Sequence, residues 1–181
     1  MQGLQLLKLV GGPGSHRVLP VGVHRIGMSH FLDNFVRGQP DEQHRLGLMK
    51  DFIDYMQILR GHGLHIDTCL VDGSFVTSKQ YPADLDCTPL IDGGRSTPAA
   101  GILGSIHDQW ISPGGRYKKV PVLGLGRTVK LDVYGIVRIP QEHRNHMFGT
   151  EAEQKWGKFW QMAKGHGTDA VKGSVEVSLD D

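Results

Sequence analysis

The alternation of apolar and polar positions divides the chain into helical and extended segments. The clearest helix begins at Pro40 and Asp41 and ends before Gly61 and Gly63. Its apolar residues recur at spacings of three and four, which places them in one stripe of a helix: Leu46, Met49, Phe52, Ile53, Met56 and Leu59. A shorter helix is predicted from a Ser29 cap to about Val36.

Extended segments follow the long helix. The run from Leu64 to Val71 is apolar but interrupted by polar residues, and the run from Leu85 to Ile91 is apolar and carries Asp86. A turn separates the two runs. Thr128 to Val137 alternates, and Gly173 to Leu179 alternates as a final strand, which we expect at an edge of the sheet. This order of elements predicts an α/β (α+β) fold with a central mixed β-sheet flanked by helices.

The last helix is predicted to open at the capping box Thr150-Glu-Ala-Glu153. Its expected buried stripe is Trp156, Phe159, Trp160 and Ala163.

Residues 92–127 form a long insertion rich in Gly, Ser and Pro. Thr97-Pro98 predicts the start of a helix, with Ile102, Leu103, Ile106 and Trp110 on its inner face. The segment from Ser112 to Arg127 then carries several basic residues among glycines. Two interpretations stay open for it: a solvated loop, or a mobile lid that brings positive charge to a polyphosphate or to RNA.

Length and charge limit the classes of protein. With 181 residues the chain is expected to form a single domain over 1–181, with a poorly patterned N-terminal segment at about 1–27. A formal charge of +1 argues against a surface coated by nucleic acid but allows a local basic patch. No secretory signal and no membrane span are recognised, so we expect a cytoplasmic protein with Cys69 and Cys87 buried and reduced.

Candidate chemistry is concentrated at the turn between the first two strands. Asp84 and Asp86 are two residues apart on a strand, so their carboxylates point to one face and repel unless a cation lies between them. Mg²⁺ is suited to such a site because it prefers carboxylate and phosphate oxygens. Gly73 allows close approach of a ligand to the backbone, and the Ser74 hydroxyl suits phosphate oxygens.

The alternating segment from Thr128 to Val137 carries a third aspartate. Asp132 falls on the more polar face of that strand, where a site would have to lie. Lys130 is two residues away on the same face. It is either a charge partner for the carboxylates or a contact to a nucleotide phosphate.

A Gly-Ser pair after a strand, followed by an Asp-apolar-Asp pair, resembles the signature of the DNA polymerase beta-like nucleotidyltransferase superfamily. Gly73-Ser74 and Asp84-Leu85-Asp86 match its two parts. The fuller wording, with Phe75-Val-Thr77, Lys79 and Pro82, resembles small bacterial and phage proteins of that superfamily. The chain departs from better-known members in having Phe75-Val76-Thr77 where many have Ala-Arg-Gly.

The resemblance implies a metal-dependent nucleotidyltransferase. Asp84, Asp86 and Asp132 would be catalytic and would hold two Mg²⁺ (or Mn²⁺) ions. The expected nucleotide-binding residues are Gly73, Ser74, Thr77, Lys79 and Lys130, with Thr77 and Lys79 included by their position.

In such an enzyme an NMP moves from an NTP to an acceptor. The acceptor stays open between a protein hydroxyl, a tRNA end and a small molecule, and so does the oligomeric state. By analogy with small members of the superfamily, a toxin–antitoxin or phage-defence setting is expected. The alternative is a catalytically inert fold of this type that binds a nucleotide or a partner protein.

Overall fold

One six-stranded mixed sheet organises the part of the chain that the structure describes. The computed structural model describes residues 7–12, 15–98, 120–121, 127–133, 135–144, 146–162 and 171–180. In chain order its elements are β1 Val10–Gly11, β2 Arg17–Val18, β3 Val23–Gly27, α1 Met28–Phe35, α2 Glu42–Gly61, β4 Ile66–Asp72, β5 Leu85–Asp92, β6 Val120–Pro121, β7 Thr128–Val129, β8 Leu131–Val133, β9 Ile136–Arg138, α3 His146–Trp160 and β10 Ser174–Ser178.

The strands of the main sheet run in the order β3-β10-β4-β5-β8, and β9 also pairs with β5. β10 is parallel to β3 and antiparallel to β4, and β4 is antiparallel to β5. β8 and β9 both run parallel to β5. The predicted α/β fold with a mixed central sheet flanked by helices is therefore confirmed. Two short pairs, β1 with β2 and β6 with β7, lie outside this sheet.

The final strand occupies a different place from the predicted one. β10 lies between β3 and β4 rather than at an edge, and Val175 and Val177 are fully buried. Its outer neighbour β3 comes from the segment that the sequence left unpatterned. The pattern of β3 is weak because each of its residues is exposed or half-buried, so no apolar stripe marks a buried face.

The main hydrophobic core lies between α1, α2 and one face of the sheet. Cys69 and Val71 of β4 and Leu85 and Cys87 of β5 belong to this core. Both cysteines are free and buried, as predicted. None of the helices in the described ranges is long and apolar enough to cross a membrane.

The buried face of α2 differs from the predicted stripe. Leu46 and Ile53 are both 40% exposed, whereas Leu48 and the charged Arg45 are buried. The stripe prediction was wrong at these positions: it included two exposed apolar residues, omitted Leu48 and did not consider a charged residue. A guanidinium can replace an apolar residue in a core when each of its nitrogens finds an acceptor.

Arg45 meets that condition and joins α2 to the loop after β4. Its guanidinium donates to Oδ1 of Asp41 at 2.9 Å and to the carbonyl oxygens of Phe35, Phe75 and Lys79 at 2.7–2.9 Å. Burial opposes ionisation of Asp41. The hydrogen bond from the backbone of Tyr81 and the charge of Arg45 outweigh it, so the pKa of Asp41 lies below its usual value. The loop is thus fixed to the helix.

The opposite face of the sheet is covered by α3. Trp160 packs there with Leu70, Leu90 and Ile136. Its Nε1 donates to the buried Oγ1 of Thr88 at 2.7 Å. The prediction that Trp160 is buried is confirmed.

Two other predictions for the last helix, its start and the burial of Phe159, were wrong. The helix begins at His146, and Thr150 lies inside it, donating to the carbonyl oxygen of His146 at 3.3 Å. A threonine hydroxyl can donate to a carbonyl oxygen of the preceding turn or accept from an N–H of the following turn, so the capping pattern is ambiguous. Phe159 is 45% exposed. The side chain of Trp156 and residue Ala163 lie outside the described residues.

Trp160→Phe should lower the free energy of unfolding by about 2 kcal/mol, because Thr88 loses its donor and the smaller ring leaves a gap. Urea unfolding measures this. Phe159→Leu, a change at the exposed neighbour, should stay within about 0.5 kcal/mol of the parent protein. Equal losses in both variants would contradict the packing of α3 described above.

Candidate functional site

Three aspartates stand side by side on three adjacent strands. Asp72, the last residue of β4, pairs with Asp86 of β5, and Asp86 pairs with Asp132 of β8. We call Asp72, Asp86 and Asp132 the acidic row. Residues at paired positions on neighbouring strands project to the same face of a sheet. The structure therefore brings together Asp86 and Asp132, as the sequence predicts.

The acidic row lies on the face that carries α3. Thr88 and Leu90 of β5 contact Trp160 or pack with it, and they alternate with core residues of the other face. Asp86 is in step with Thr88 and Leu90. Asp132 lies between Leu131 and Val133, which both belong to the main core. The carboxylates thus project from the side opposite α2.

Gly73 is required by the position of Asp86. Its φ angle is +72°, in the left-handed region that favours glycine. A Cβ atom at Gly73 would lie 1.6 Å from Oδ2 of Asp86, so the carboxylate occupies the space that any other side chain would need. The turn after β4 and the central carboxylate are therefore built as one unit.

Asp72 has a dedicated counter-charge. Nζ of Lys172, just before β10, forms a buried ion pair with Oδ1 of Asp72. Burial raises the pKa of Asp72 to about 6, although Lys172 and the backbone N–H of Gly73 act in the opposite direction. The backbone N–H of Lys172 donates to the carbonyl oxygen of Gln161, which links this cation to the end of α3.

Asp86 is the most perturbed carboxyl group of the site. Partial burial, followed by the negative charges of Asp84, Asp132 and Asp72, raises its pKa to about 7, and Lys172 offsets only part of this. Asp84 precedes β5, and its charge acts on Asp86 as the Asp-x-Asp spacing predicts. At Asp86, burial and the neighbouring negative charges therefore outweigh the opposing charge of Lys172.

This donor set fits a hard divalent cation. Carboxylate oxygens are the ligands that Mg²⁺ prefers, and clustered carboxylates that resist ionisation are stabilised by a cation. Within the described ranges, no three His, Cys, Asp or Glu side chains already stand in an arrangement ready to hold a metal ion. Asp84, Asp86 and Asp132 would have to draw together around one.

Lys172→Met should lower the free energy of unfolding by about 1–3 kcal/mol at pH 8, because a buried carboxylate loses its partner. The loss should shrink at pH 5, below the pKa of about 6 for Asp72, where that carboxyl group holds a proton. Urea unfolding at both values measures this. Lys158→Met, on an exposed part of α3, is the control. A loss that does not depend on pH would contradict the pairing.

The other predicted nucleotide-binding residues are more dispersed. Ser74 follows Gly73 directly, and its carbonyl oxygen accepts from Oγ1 of Thr77 at 2.8 Å. Thr77 and Lys79 line a cleft on the α1 and α2 side of the loop. Lys130 is exposed in the break between β7 and β8, so the predicted single strand there is divided. Its backbone N–H donates to Oδ2 of Asp51 at 3.0 Å.

The structure describes only a few residues of the predicted basic loop. The helix predicted from Thr97-Pro98 and most of the segment from Ser112 to Arg127 lie outside the described residues. Arg127 itself forms ion pairs with Asp51 and Asp54 of α2, at 2.5 and 2.6 Å. Its charge therefore helps attach the end of the insertion to α2.

Sequence reasoning missed two members of the site, Asp72 and Lys172. Asp72 directly precedes Gly73, and this adjacency to the glycine turn was an available signal. No sequence signal pointed to Lys172, because its role depends on β10 lying beside β4.

Comparison with known families identifies a relationship for nearly the whole chain. The sequence model of a family described as "Family of unknown function (DUF6932)" matches residues 14–178. The chain belongs to this family. The matched range includes the acidic row, the glycine turn and Lys172. No curated protein and no solved structure matches the chain.

Proposed function

We propose that this DUF6932 protein is a metal-dependent nucleotidyltransferase that moves an NMP from an NTP to an acceptor. The observation that carries the proposal is the acidic row, with Asp86 lying directly over Gly73 and flanked by Asp132. The Gly-Ser turn and the Asp-x-Asp pair thus meet at one end of the sheet. This juxtaposition supports the resemblance to the DNA polymerase beta-like superfamily.

Asp84, Asp86 and Asp132 are the residues that would hold Mg²⁺ or Mn²⁺. The bound cation would supply neutralisation of phosphate charge and make the acceptor hydroxyl more acidic. Asp72 has a different role, because Lys172 already compensates its charge. It holds Lys172 and the backbone of Gly73 in place beneath the central carboxylate.

The loop after β4 is suited to hold a substrate at a fixed position. Phe75 and Val76 are fully buried, and the Phe75 ring stacks on Phe31 with centroids 5.9 Å apart. Arg45 lies over the same ring at 5.1 Å. Gly73 and Ser74, at the start of this anchored loop, therefore offer a pre-organised contact for phosphate oxygens. Pre-organised polar groups contribute much of the catalysis in phosphoryl transfer.

The test is transfer of label from α-³²P-labelled NTPs in the presence of Mg²⁺ or Mn²⁺ and a cell lysate. We expect label in RNA, protein or a small molecule from the α-labelled NTP. The same NTP labelled at the γ-phosphate should give none, because pyrophosphate leaves. Label transferred from the γ position would indicate a kinase instead. Binding of nucleotide without any transfer would identify the catalytically inert alternative.

A further inference from the structure

A basic cleft lies on the other side of the loop that follows β4. It has a volume of about 590 Å³ and is bordered by α1, the start of α2, the N-terminal segment and the loop. Its cationic residues are Lys8, Arg17, Arg37, Lys79 and Arg45. We call this feature the basic cleft. Its size is that of a site for a ligand of nucleotide dimensions or larger.

The cleft has more positive charge than its own walls neutralise. Its two acidic residues are engaged: Asp33 pairs with Arg37 at 2.5 Å, and Asp41 pairs with Arg45 at 2.9 Å. Across the part of the chain that the structure describes, the side chains of Lys8, Arg17 and Lys79 form no ion pair. Such a surplus attracts a ligand that carries several negative charges.

An exposed aromatic ring stands beside the cleft. Tyr81 is 63% exposed, and its φ of +51° makes it the one non-glycine residue with positive φ among the described residues. The strain is held by a hydrogen bond of 2.7 Å from its backbone N–H to Oδ2 of Asp41. The ring lies 5.6 Å from the His44 ring, centroid to centroid, with the two planes inclined at 64°. Strained, clamped positions of this kind concentrate at ligand-binding sites.

In the sequence, Tyr81 lies between residues that line the basic cleft and Asp84. Lys79 and Gln80 line the cleft, Tyr81 follows them, and Asp84 comes three residues later. A chain of five residues spans at most about 18 Å, so Lys79 and Asp84 are no farther apart than this. The cations of the cleft, an exposed aromatic ring and the first carboxylate, Asp84, therefore follow one another along one short stretch of the chain.

We infer that the basic cleft and Tyr81 bind the end of a single-stranded nucleic acid, which is the acceptor of the transferred nucleotide. This inference rests on the proposed function and names its acceptor class. In that function the triphosphate of the NTP occupies the carboxylate end, so the separate cations serve a second phosphate-bearing molecule. Cationic grooves combined with aromatic platforms are the usual means of binding single strands.

Binding is measured by fluorescence anisotropy with a fluorescein-labelled RNA of about ten nucleotides, with EDTA present so that catalysis plays no part. We expect salt-dependent binding. Arg17→Ala and Lys79→Ala should each weaken it and reduce the slope of log affinity against log salt by about one. Arg25→Ala, an exposed cation on β3 outside the cleft, should leave both quantities unchanged. Equal effects of all three variants would overturn the assignment.

Tyr81 is tested separately, because its backbone conformation limits the choice of substitution. Tyr81→Gly removes the ring and accepts the positive φ, so the fold is expected to remain intact. RNA affinity should fall about tenfold in this variant and stay within about twofold in Tyr81→Phe, which keeps the aromatic face. A thermal unfolding scan confirms folding. Unchanged affinity in a folded Tyr81→Gly variant would overturn the stacking role.

Competition with unlabelled ligands distinguishes an oligonucleotide from a mononucleotide or free phosphate as the ligand of the basic cleft. Unlabelled RNA or DNA of the same length should displace the probe, whereas AMP and inorganic phosphate should do so only at much higher concentration. If AMP competes as well as the oligomer, the cleft is a mononucleotide subsite and the inference fails. Failure of the proposed function would look different: the oligomer would bind as described, but no NTP would label it.

Discussion

Asp86→Asn should reduce nucleotidyl transfer by about a thousandfold, or several kcal/mol of barrier. The amide keeps the size of the side chain but removes one negative charge from the central position of the acidic row. A cation held there would lose a charged ligand, and its affinity would fall. The rate is measured with α-³²P-labelled NTP under the conditions that give transfer by the parent protein.

The same substitution should stabilise the metal-free protein at alkaline pH. The folded-state pKa of Asp86, about 7, lies above the usual aspartate value of 3.8. The folded state thus binds this proton more tightly than the unfolded state. The stabilisation that this proton gives to the parent protein is complete below the unfolded pKa and is lost as pH rises towards 7. The loss amounts to at most about 4 kcal/mol, at 1.36 kcal/mol per pKa unit.

Urea unfolding of both proteins from pH 4 to pH 8 in EDTA measures this effect. The free energy of unfolding of Asp86→Asn minus that of the parent should rise across this window, because only the parent has the Asp86 carboxyl group that loses its proton. Asp180→Asn, which removes an exposed partner of Arg60, should follow the parent within about 0.5 kcal/mol. If Asp86→Asn unfolds the protein, Asp86 is a structural hydrogen-bond acceptor and the functional interpretation fails.

Gly73→Ala should disable the site without touching a carboxylate. A Cβ atom there would overlap Oδ2 of Asp86, and alanine resists the φ of +72°. The left-handed conformation alone costs roughly 1–2 kcal/mol, and the displaced carboxylate adds to this loss of stability. We expect transfer to fall at least a hundredfold, or about 3 kcal/mol of barrier, because the metal ligand and the phosphate-binding turn both move.

Gly47→Ala is the matched control for that substitution. Gly47 lies inside α2, and nothing stands within 4 Å of the place where its Cβ would be. The same chemical change should therefore stabilise the protein, by up to about 1 kcal/mol, and leave transfer unchanged. Thermal unfolding and the labelling assay are compared for both variants. Full activity in Gly73→Ala would show that the turn and Asp86 do not form one unit.

The sequence was most informative where local periodicity decides the structure. The alternation of β-strand side chains placed Asp84 and Asp86 on one face of a strand and Asp132 on the polar face of another. The paired positions of Asp86 and Asp132 agree with this. The turn at Gly73 could also be predicted, because glycine between two strand patterns is typical of a turn that reverses the chain. These features depend on residues a few positions apart.

Long-range pairing lay beyond the sequence. Lys172 reaches Asp72 because β10 inserts between β3 and β4, and no local pattern distinguishes this position from an edge. The buried Arg45 was missed for a related reason. Its acceptors Phe35, Phe75 and Lys79 come from different segments and meet only in the folded protein.

Direct titration with Mn²⁺, followed by the electron paramagnetic resonance signal of the free ion, tests whether Asp84, Asp86 and Asp132 bind a divalent cation. The parent protein should remove free Mn²⁺ saturably. Asp86→Asn and Gly73→Ala should bind it at least about tenfold more weakly, whereas Asp180→Asn should match the parent. Equal Mn²⁺ affinity in all four proteins, or no binding by the parent, would contradict the account.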